Sequence, residues 1–408
     1  MTDAARRTER GIGGRMANQL GRSTRSPIGA WFRDVDRFVL LIALSLIAIG
    51  LVAVAAASPA SAVRYSTSAH VIAPMSYFWR QAVWVAVSFP VLIVVSMLPV
   101  QVARRLALLG TAVFLVALVV TPFVGVEANG ARRWIGVGVG QFQPSEFLKP
   151  MFIVTTAWLL SFRAKDPSLP VVPVTGLLTL GVAGLLMMQP DFGQTVIFCM
   201  VWLALLMIAG LSPRAVGVLA AGGIGLVVAA YFFYGTARVR IDGFLFPDPE
   251  ATATDSYQVD MAHAVLTAGG VTGTGPGGGR VKFRLPEAHT DYIYAVVGEE
   301  FGFIACAIIA LLFLAIVIRV FVKLLDEDDA FKLLAASGLA VQFGVQALIN
   351  MAVNTGIAPS KGMTLPFISY GGSSMLALSI GMGLLLAFTR RNPYLTRSHY
   401  GTRWSGGR

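Results

Sequence analysis

The stretch Leu285-Pro-Glu-Ala-His-Thr-Asp-Tyr-Ile-Tyr-Ala-Val-Val-Gly-Glu-Glu-Phe-Gly302 joins a polar segment carrying Glu287, His289 and Asp291 to the start of a long apolar run. In a chain with 56% hydrophobic and only 13% charged residues, a carboxylate at the edge of such a run is costly unless it is solvated, paired or used. The same composition, with a mean hydropathy of +0.71 over 408 residues, is too apolar for a soluble domain and predicts an all-α polytopic membrane protein.

Outward from this junction, apolar runs able to cross a hydrocarbon core of about 30 Å lie near 38–57, 79–98, 104–124, 145–162, 170–188, 193–211, 214–234, 293–322, 331–353 and 371–389. About ten transmembrane helices are expected, with a large outer loop at 235–292 between the seventh and eighth. Residues 1–37, rich in Arg, Gly and Ser, read as a disordered cytoplasmic tail with an interfacial piece at Trp31 and Phe32; 38–390 form the membrane domain, and 391–408 a second cytoplasmic tail. Arg104, Arg105, Arg163, Lys165, Arg214, Lys323, Lys332, Arg390 and Arg391 then all fall on the side of the N-terminus, as the positive-inside rule requires. The net charge of +11 therefore sets orientation and does not point to nucleic acid. Cys199 and Cys306 lie inside apolar runs, so neither a disulfide framework nor a cysteine metal site is expected. No cleavable leader is expected, because the first apolar run begins near Phe38 and is long enough to span.

The outer loop is basic, with Arg238, Arg240, Arg280, Lys282 and Arg284, which suits an anionic ligand. Within it, Val259, Ala262, His263 and Leu266 recur at helical spacing and predict an amphipathic helix lying on the bilayer surface. The glycine-rich run 269–279 reads as a flexible turn: Gly273, Gly275 and Gly278 match a dinucleotide fingerprint formally, but no strand precedes them and no helix follows.

Other polar clusters fall at span ends on the same side. Segment 129–135 carries Arg132, Arg133 and Trp134, and 143–149 places Glu146 and Lys149 three apart, able to pair on one helix face. Asp191 in 189–194 can cap the helix that follows it. Segment 355–372, with two prolines and repeated glycines, suits a re-entrant loop lining a cavity, and Lys361 is its one charge. Converging loops of this kind can bind a phosphate-bearing lipid head group, with Arg132, Arg133 and Lys361 neutralising phosphate and Asp291 taking a proton. Asp291 is equally placed to cap the eighth span. His289 reads as a neutral hydrogen-bonding residue, since no second His or Cys lies at ligand spacing, and Glu299 and Glu300 as interior-facing support.

Segments 129–135, 143–149, 189–193, 285–302 and 358–374, in that order, resemble the SEDS family (shape, elongation, division and sporulation), over nearly the whole chain from first span to last. The sequence from Pro359 to Ser374 and the long basic tail are similar to the division branch of that family more than to its elongation branch. The resemblance implies ten transmembrane helices and polymerisation of lipid II into peptidoglycan strands, with Asp291 catalytic, as base or as ligand of Mg²⁺ or another divalent cation, and no organic cofactor. It implies that Trp134, Lys149, Glu287 and Lys361 bear on activity or substrate handling, with Arg132, Arg133, Glu146 and His289 beside them. Lipid II, glycan on undecaprenyl pyrophosphate, a class B penicillin-binding protein and other division proteins are the implied partners, at the division septum of the bacterial plasma membrane. Many relatives carry a basic residue where this chain has Gln141, which removes one expected phosphate contact. A lipid II flippase and a non-catalytic scaffold for a transpeptidase are the competing readings, but no inverted repeat and few midplane charges are present.

Overall fold

A computed structural model describes residues 27–390 except 69–70, 129–130, 137–139, 360–361 and most of 236–254. Both tails beyond those limits, and Lys361, lie outside the described residues. A short helix α1 (Pro27–Asp34) precedes α2 (Arg37–Tyr65), α3 (Ser76–Met97) and α4 (Val100–Val124). An antiparallel hairpin, β1 (Val126–Ala128) and β2 (Ala131–Trp134), leads into α5 (Pro144–Ser161), α6 (Val171–Met188), α7 (Phe192–Ile208) and α8 (Pro213–Phe233). Then come α9 (Asp255–Ala268), α10 (Ile293–Leu324), α11 (Ala330–Asn354) and α12 (Gly372–Phe388).

Each apolar run of the sequence has its helix. Seven of these, α2, α3, α4, α6, α8, α10 and α11, are long and apolar enough to cross a membrane. Helices α7 and α12 are apolar but have 17 residues each, and α5 carries Glu146 and Lys149. Helix α5 tolerates them because it is central: 14 of its 18 residues are buried, against α4, α6, α7, α11 and α12. Helix α8 is the opposite case, with Val216 its one buried residue, so its surface is left to lipid.

Helix α10 is not the single rod its apolar run predicts. Gly302 breaks it, at φ 78° and ψ −179°, a conformation open essentially to glycine alone. The break frees backbone groups, and in an apolar setting these must find partners. The glycine-rich run supplies them: Thr274 N donates to the Glu299 carbonyl at 2.9 Å and Gly275 N to that of Glu300 at 3.0 Å. In return Phe303 N donates to Gly270 O at 3.0 Å and Ile304 N to Val271 O at 3.3 Å. The run 269–279 is therefore a pinned insert in the helix break, which corrects the flexible turn expected for it. The Glu299 carboxylate continues the clamp, accepting from the N–H groups of Arg280, Val281 and Lys282 at 2.8, 2.7 and 3.0 Å. Glu300 pairs with the buried Lys282 ammonium, which also donates to Ala56 O of α2 at 2.8 Å.

A Cβ at residue 302 would collide with the backbone of Val271, Thr272 and Gly273. Gly302→Ala is therefore expected to cost about 1–3 kcal/mol in backbone strain alone, with further loss from the displaced insert. A lowered Tm in detergent and faster proteolysis within 269–284 are the readouts.

Helix α9 departs from its expected place as well. Val259, Ala262 and Val265 are covered by Leu285, Ala288, Tyr292, Ala295, Val296 and Val353, so its apolar face packs on protein and is not available to a bilayer surface. His263, grouped with that face by spacing, is exposed.

Between α11 and α12, residues 363–369 form a largely buried loop, with Met363, Leu365, Phe367 and Ile368 at 3% exposure or less. It packs on Gly50 of α2, where any side chain would meet Phe367 O and Ile368 Cα. Its backbone is satisfied largely by side chains. Leu365 N donates to Ser369 Oγ at 2.8 Å, Gln81 takes Gly371 N and gives to Ser369 O, and Tyr370 N donates to His289 O at 2.9 Å. That last bond ties the loop to the segment carrying Asp291.

Candidate active site

Asp291 lies in the turn that enters α10. It does not cap the helix: Tyr292 holds the cap position and no side chain bonds there, so the capping alternative fails. The Asp291 main-chain carbonyl accepts instead from Asn350 Nδ2 at 2.8 Å and Asn354 Nδ2 at 3.1 Å, both on α11. Its carboxylate is left without an internal donor among the described residues. Burial pushes the carboxyl up to about 7, helped by the negative charge of Glu287 and opposed by Arg133. A carboxylate poised there suits a base working near neutral pH.

Arg133 comes from β2. Its Nε donates to Gln189 O at 3.0 Å and its Nη2 to Pro190 O at 2.6 Å, so two carbonyls of the α6–α7 turn fix the guanidinium. The remaining nitrogen and the Asp291 carboxylate both lie beside Gly362: a Cβ built there would stand 3.6 Å from Asp291 Oδ2 and 3.9 Å from Arg133 Nη1. A proton acceptor and a fixed cation thus converge on a residue with no side chain. Successive strand residues face opposite ways, and Arg132, the other arginine expected at the phosphate, is exposed and paired with Glu127 at 3.4 Å. Trp134 ends β2 opposite Val126, half-buried.

Glu287 has φ +50°, strain that a non-glycine residue keeps only where surroundings enforce it. Tyr65 OH donates to one of its carboxylate oxygens at 2.8 Å and Thr290 Oγ1 to the other at 2.6 Å. His289 is buried, with Nδ1 2.9 Å from Ser61 Oγ and its ring 4.3 Å from that of Tyr77 and 5.2 Å from that of Tyr370. Burial drives its pKa down to about 4 against the pull of Glu287, so it is a neutral hydrogen-bonding residue at working pH.

Deeper in, Glu146 and Lys149 form the pair their spacing predicted, 2.9 Å apart and both buried. Gln194 Nε2 donates to Glu146 Oε1 at 2.6 Å, and Ser374 Oγ to Oε2 at 3.3 Å. Lys149 Nζ donates to Gln346 Oε1 at 3.1 Å. Asp191 caps α7 through Gln194 N at 3.3 Å and accepts from Gln143 Nε2 at 3.1 Å; burial raises its pKa despite nearby Arg133. Glu299 and Glu300 face the interior but serve the glycine insert.

Among the described residues no three His, Cys, Asp or Glu side chains come together, so no closed metal cage forms. Asp291 offers one carboxylate, which fits the open mode in which Mg²⁺ takes the rest of its shell from substrate phosphate and water. Gln346, Asn350 and Asn354, which hold these loops together, were passed over in the sequence. Their signal was legible: three amides at i, i+4 and i+8 on a membrane helix need a use.

A family model described as "Cell cycle protein", covering FtsW, RodA and SpoVE, matches residues 36–394. The chain is 37% identical over 380 residues to "Probable peptidoglycan glycosyltransferase FtsW" of Caulobacter vibrioides (strain NA1000 / CB15N), covering 92% of this chain and 94% of that one. It is 35% identical over 373 residues to the protein of the same name from Geobacter sulfurreducens (strain DL-1 / KN400), covering 89% and 98%. Among solved structures, a chain from "Structural coordination of polymerization and crosslinking by a peptidoglycan synthase complex" superposes with a TM-score of 0.70 at 28% identity, over 87% of this chain and 97% of that chain. The rod shape determining protein RodA of Thermus thermophilus superposes with a TM-score of 0.62 at 26% identity, over 87% and 96%.

Proposed function

This chain belongs to the FtsW/RodA/SpoVE family of cell cycle proteins, and from that premise and the Asp291 centre we infer that it is a membrane-embedded peptidoglycan glycosyltransferase that polymerises lipid II. The observation that carries the reading is the convergence of the Asp291 carboxylate and the fixed Arg133 guanidinium on Gly362.

The donor is a glycan strand on undecaprenyl pyrophosphate and the acceptor is lipid II. Asp291 takes the proton of the acceptor sugar hydroxyl as its oxygen bonds to the donor's anomeric carbon, with inversion. The bond from that carbon to pyrophosphate breaks, and the electron pair leaves on phosphate beside Arg133, whose guanidinium is held in place before charge develops. Lys361, one residue from Gly362 in sequence, adds a second cation to the leaving group. A divalent cation bound by Asp291 and the pyrophosphate would supply further charge neutralisation. Glu287 and His289, held by Tyr65, Thr290 and Ser61, fix the course of the segment that leads to Asp291.

The basic residues near 104, 163, 214, 323 and 390 support an orientation with both termini in the cytoplasm and Asp291 outside. The family description, "Cell cycle protein", supports a role in division, for which the septum is the proposed place, and the synthase-complex neighbour, whose title joins polymerization to crosslinking, supports a transpeptidase partner, proposed to be of the class B penicillin-binding type.

Purified protein with its cognate transpeptidase, given labelled lipid II, is expected to yield long strands that muramidase digests. Because a base must be deprotonated, the rate should rise about tenfold per pH unit below pH 7 and level off above it, following the Asp291 carboxyl with its pKa of about 7. Transbilayer movement of lipid II without strand growth would establish transport in place of synthesis.

A further inference from the structure

Helix α11 presents Gln346, Asn350 and Asn354 in one row, at 1%, 2% and 0% exposure. Each amide has its orientation forced by a neighbour that can only give or only take a proton. The Lys149 ammonium donates only, so Gln346 must turn its oxygen to Lys149, and its Nε2 then donates to Thr364 O at 3.0 Å. The Ala295 N–H donates to Asn354 Oδ1 at 3.1 Å, which turns Asn354 Nδ2 to the Asp291 carbonyl. Asn350 Nδ2 sits between two carbonyls, Asp291 O at 2.8 Å and Met363 O at 2.6 Å. Asn354 Nδ2 also bonds Asn350 at O and Oδ1, at 2.9 and 3.3 Å, which locks the two side chains to each other.

One amide group, that of Asn350, therefore fastens the Asp291 turn to the 362–364 loop, and those two segments carry the carboxylate and the glycine beside it. We propose that Asn350, seconded by Asn354, is the positioning residue for Asp291: it fixes where the carboxylate stands relative to Gly362 and Arg133 and touches neither substrate. The inference rests on Asp291 acting in glycosyl transfer. Buried amides cost free energy unless bonded, and here the amide nitrogen of each reaches a carbonyl outside the helices, that of Asp291, Met363 or Thr364. A packing role for α11 needs none of them.

Both asparagine N–H groups reach the main-chain carbonyl of Asp291, so what they fix is the course of the turn that carries the carboxylate.

The test compares wild type with Asn350→Leu, close in shape but with no donor, and Asn350→Ser, which leaves room for a water to donate to both carbonyls. Lipid II polymerisation is followed as a function of substrate concentration, with the transpeptidase present and rates normalised to the folded fraction read from the thermal transition. For Asn350→Leu the expected result is kcat lower by about 10- to 100-fold, the range for a reactive group displaced by about an ångström, with KM little changed. Asn350→Ser should recover part of the lost kcat. If Asn350→Leu fails to fold, Asn350→Ser and Asn354→Ser carry the same test of kcat against KM. Wild-type kcat in a folded variant, or a loss that appears in KM alone, would overturn the proposal. An active Asp291→Asn control would overturn the reading of Asp291 itself, independently of Asn350.

Discussion

Replacing Asp291 by Asn is expected to lower polymerisation of lipid II by about 10²- to 10⁴-fold, the range for loss of a general base, while leaving the protein at least as stable. The two halves of this expectation have separate causes. The side chain keeps its shape but loses the lone pair that accepts the hydroxyl proton. Stability is preserved because no donor among the described residues bonds the carboxylate; the anchoring bonds go to the main-chain carbonyl, which the substitution keeps. The sign follows from the pKa. A carboxyl raised to about 7 in the folded protein favours its protonated form there, so ionisation opposes folding increasingly as pH rises from about 4 to 7, and a neutral amide removes that opposition. Strand length on a gel and Tm in detergent at pH 8 check both halves, and normal strands from the variant would remove Asp291 from the chemistry. Asp36 is a useful contrast. It bonds Arg319 and Lys323 at 3.1 and 3.2 Å and caps α2, so Asp36→Asn should destabilise the protein.

Removing Lys149 is expected to have the largest effect on folding. Lys149→Met leaves Glu146 buried without its counterion, at a cost of about 3–5 kcal/mol when one partner of a buried pair is lost. The same change leaves Gln346 Oε1 without its donor, while Nε2 stays on Thr364 O. The expected readouts are a steep fall in the amount of protein recovered from membranes and a lowered Tm. Glu146→Gln should be milder, because Lys149 keeps the Gln346 oxygen as acceptor. The double variant Lys149→Met, Glu146→Leu is expected to regain much of the lost stability, as hydrophobic replacement of buried pairs commonly does. A double variant as unstable as the single one would show that the charges stabilise the fold beyond neutralising each other.

The helices were legible because their signal is local. Ten runs of apolar residues mark ten helices to within a turn or two at most ends, and the Glu146–Lys149 pair follows from a spacing of three. What escaped were partnerships across distance. Nothing within 269–279 announces that its glycines will pair with a helix broken at Gly302, because the strain at Gly302 exists only once the insert is seated. The apolar stripe of α9 gives its period but not its partner, and protein covers it in place of lipid. Arg132 and Arg133 are alike in sequence, and only the strand's alternation separates the exposed one from the one fixed by Gln189 and Pro190. At the site, Asp291 stood out as a carboxylate at the edge of an apolar run, whereas Asn350 and Asn354 carry no charge and drew no attention in a long apolar helix.

Helix α5 also has a history during synthesis. Helix α5 carries two charges within its first two turns, neutralised as a pair but bonded to Gln194, Gln346 and Ser374, all later in the chain. Helices α11 and α12 leave the ribosome about two hundred residues after α5, which at 5–20 residues per second is roughly 10–40 s. During that interval α4, joined to α5 by the β hairpin, is the neighbour already made that packs most extensively on it. The bonds of the pair to Gln346 and Ser374 therefore form last, once α11 and α12 have been made. A chain truncated after α8 would keep Glu146 and Lys149 paired with each other and Gln194 on Glu146, but would lack the Gln346 and Ser374 partners.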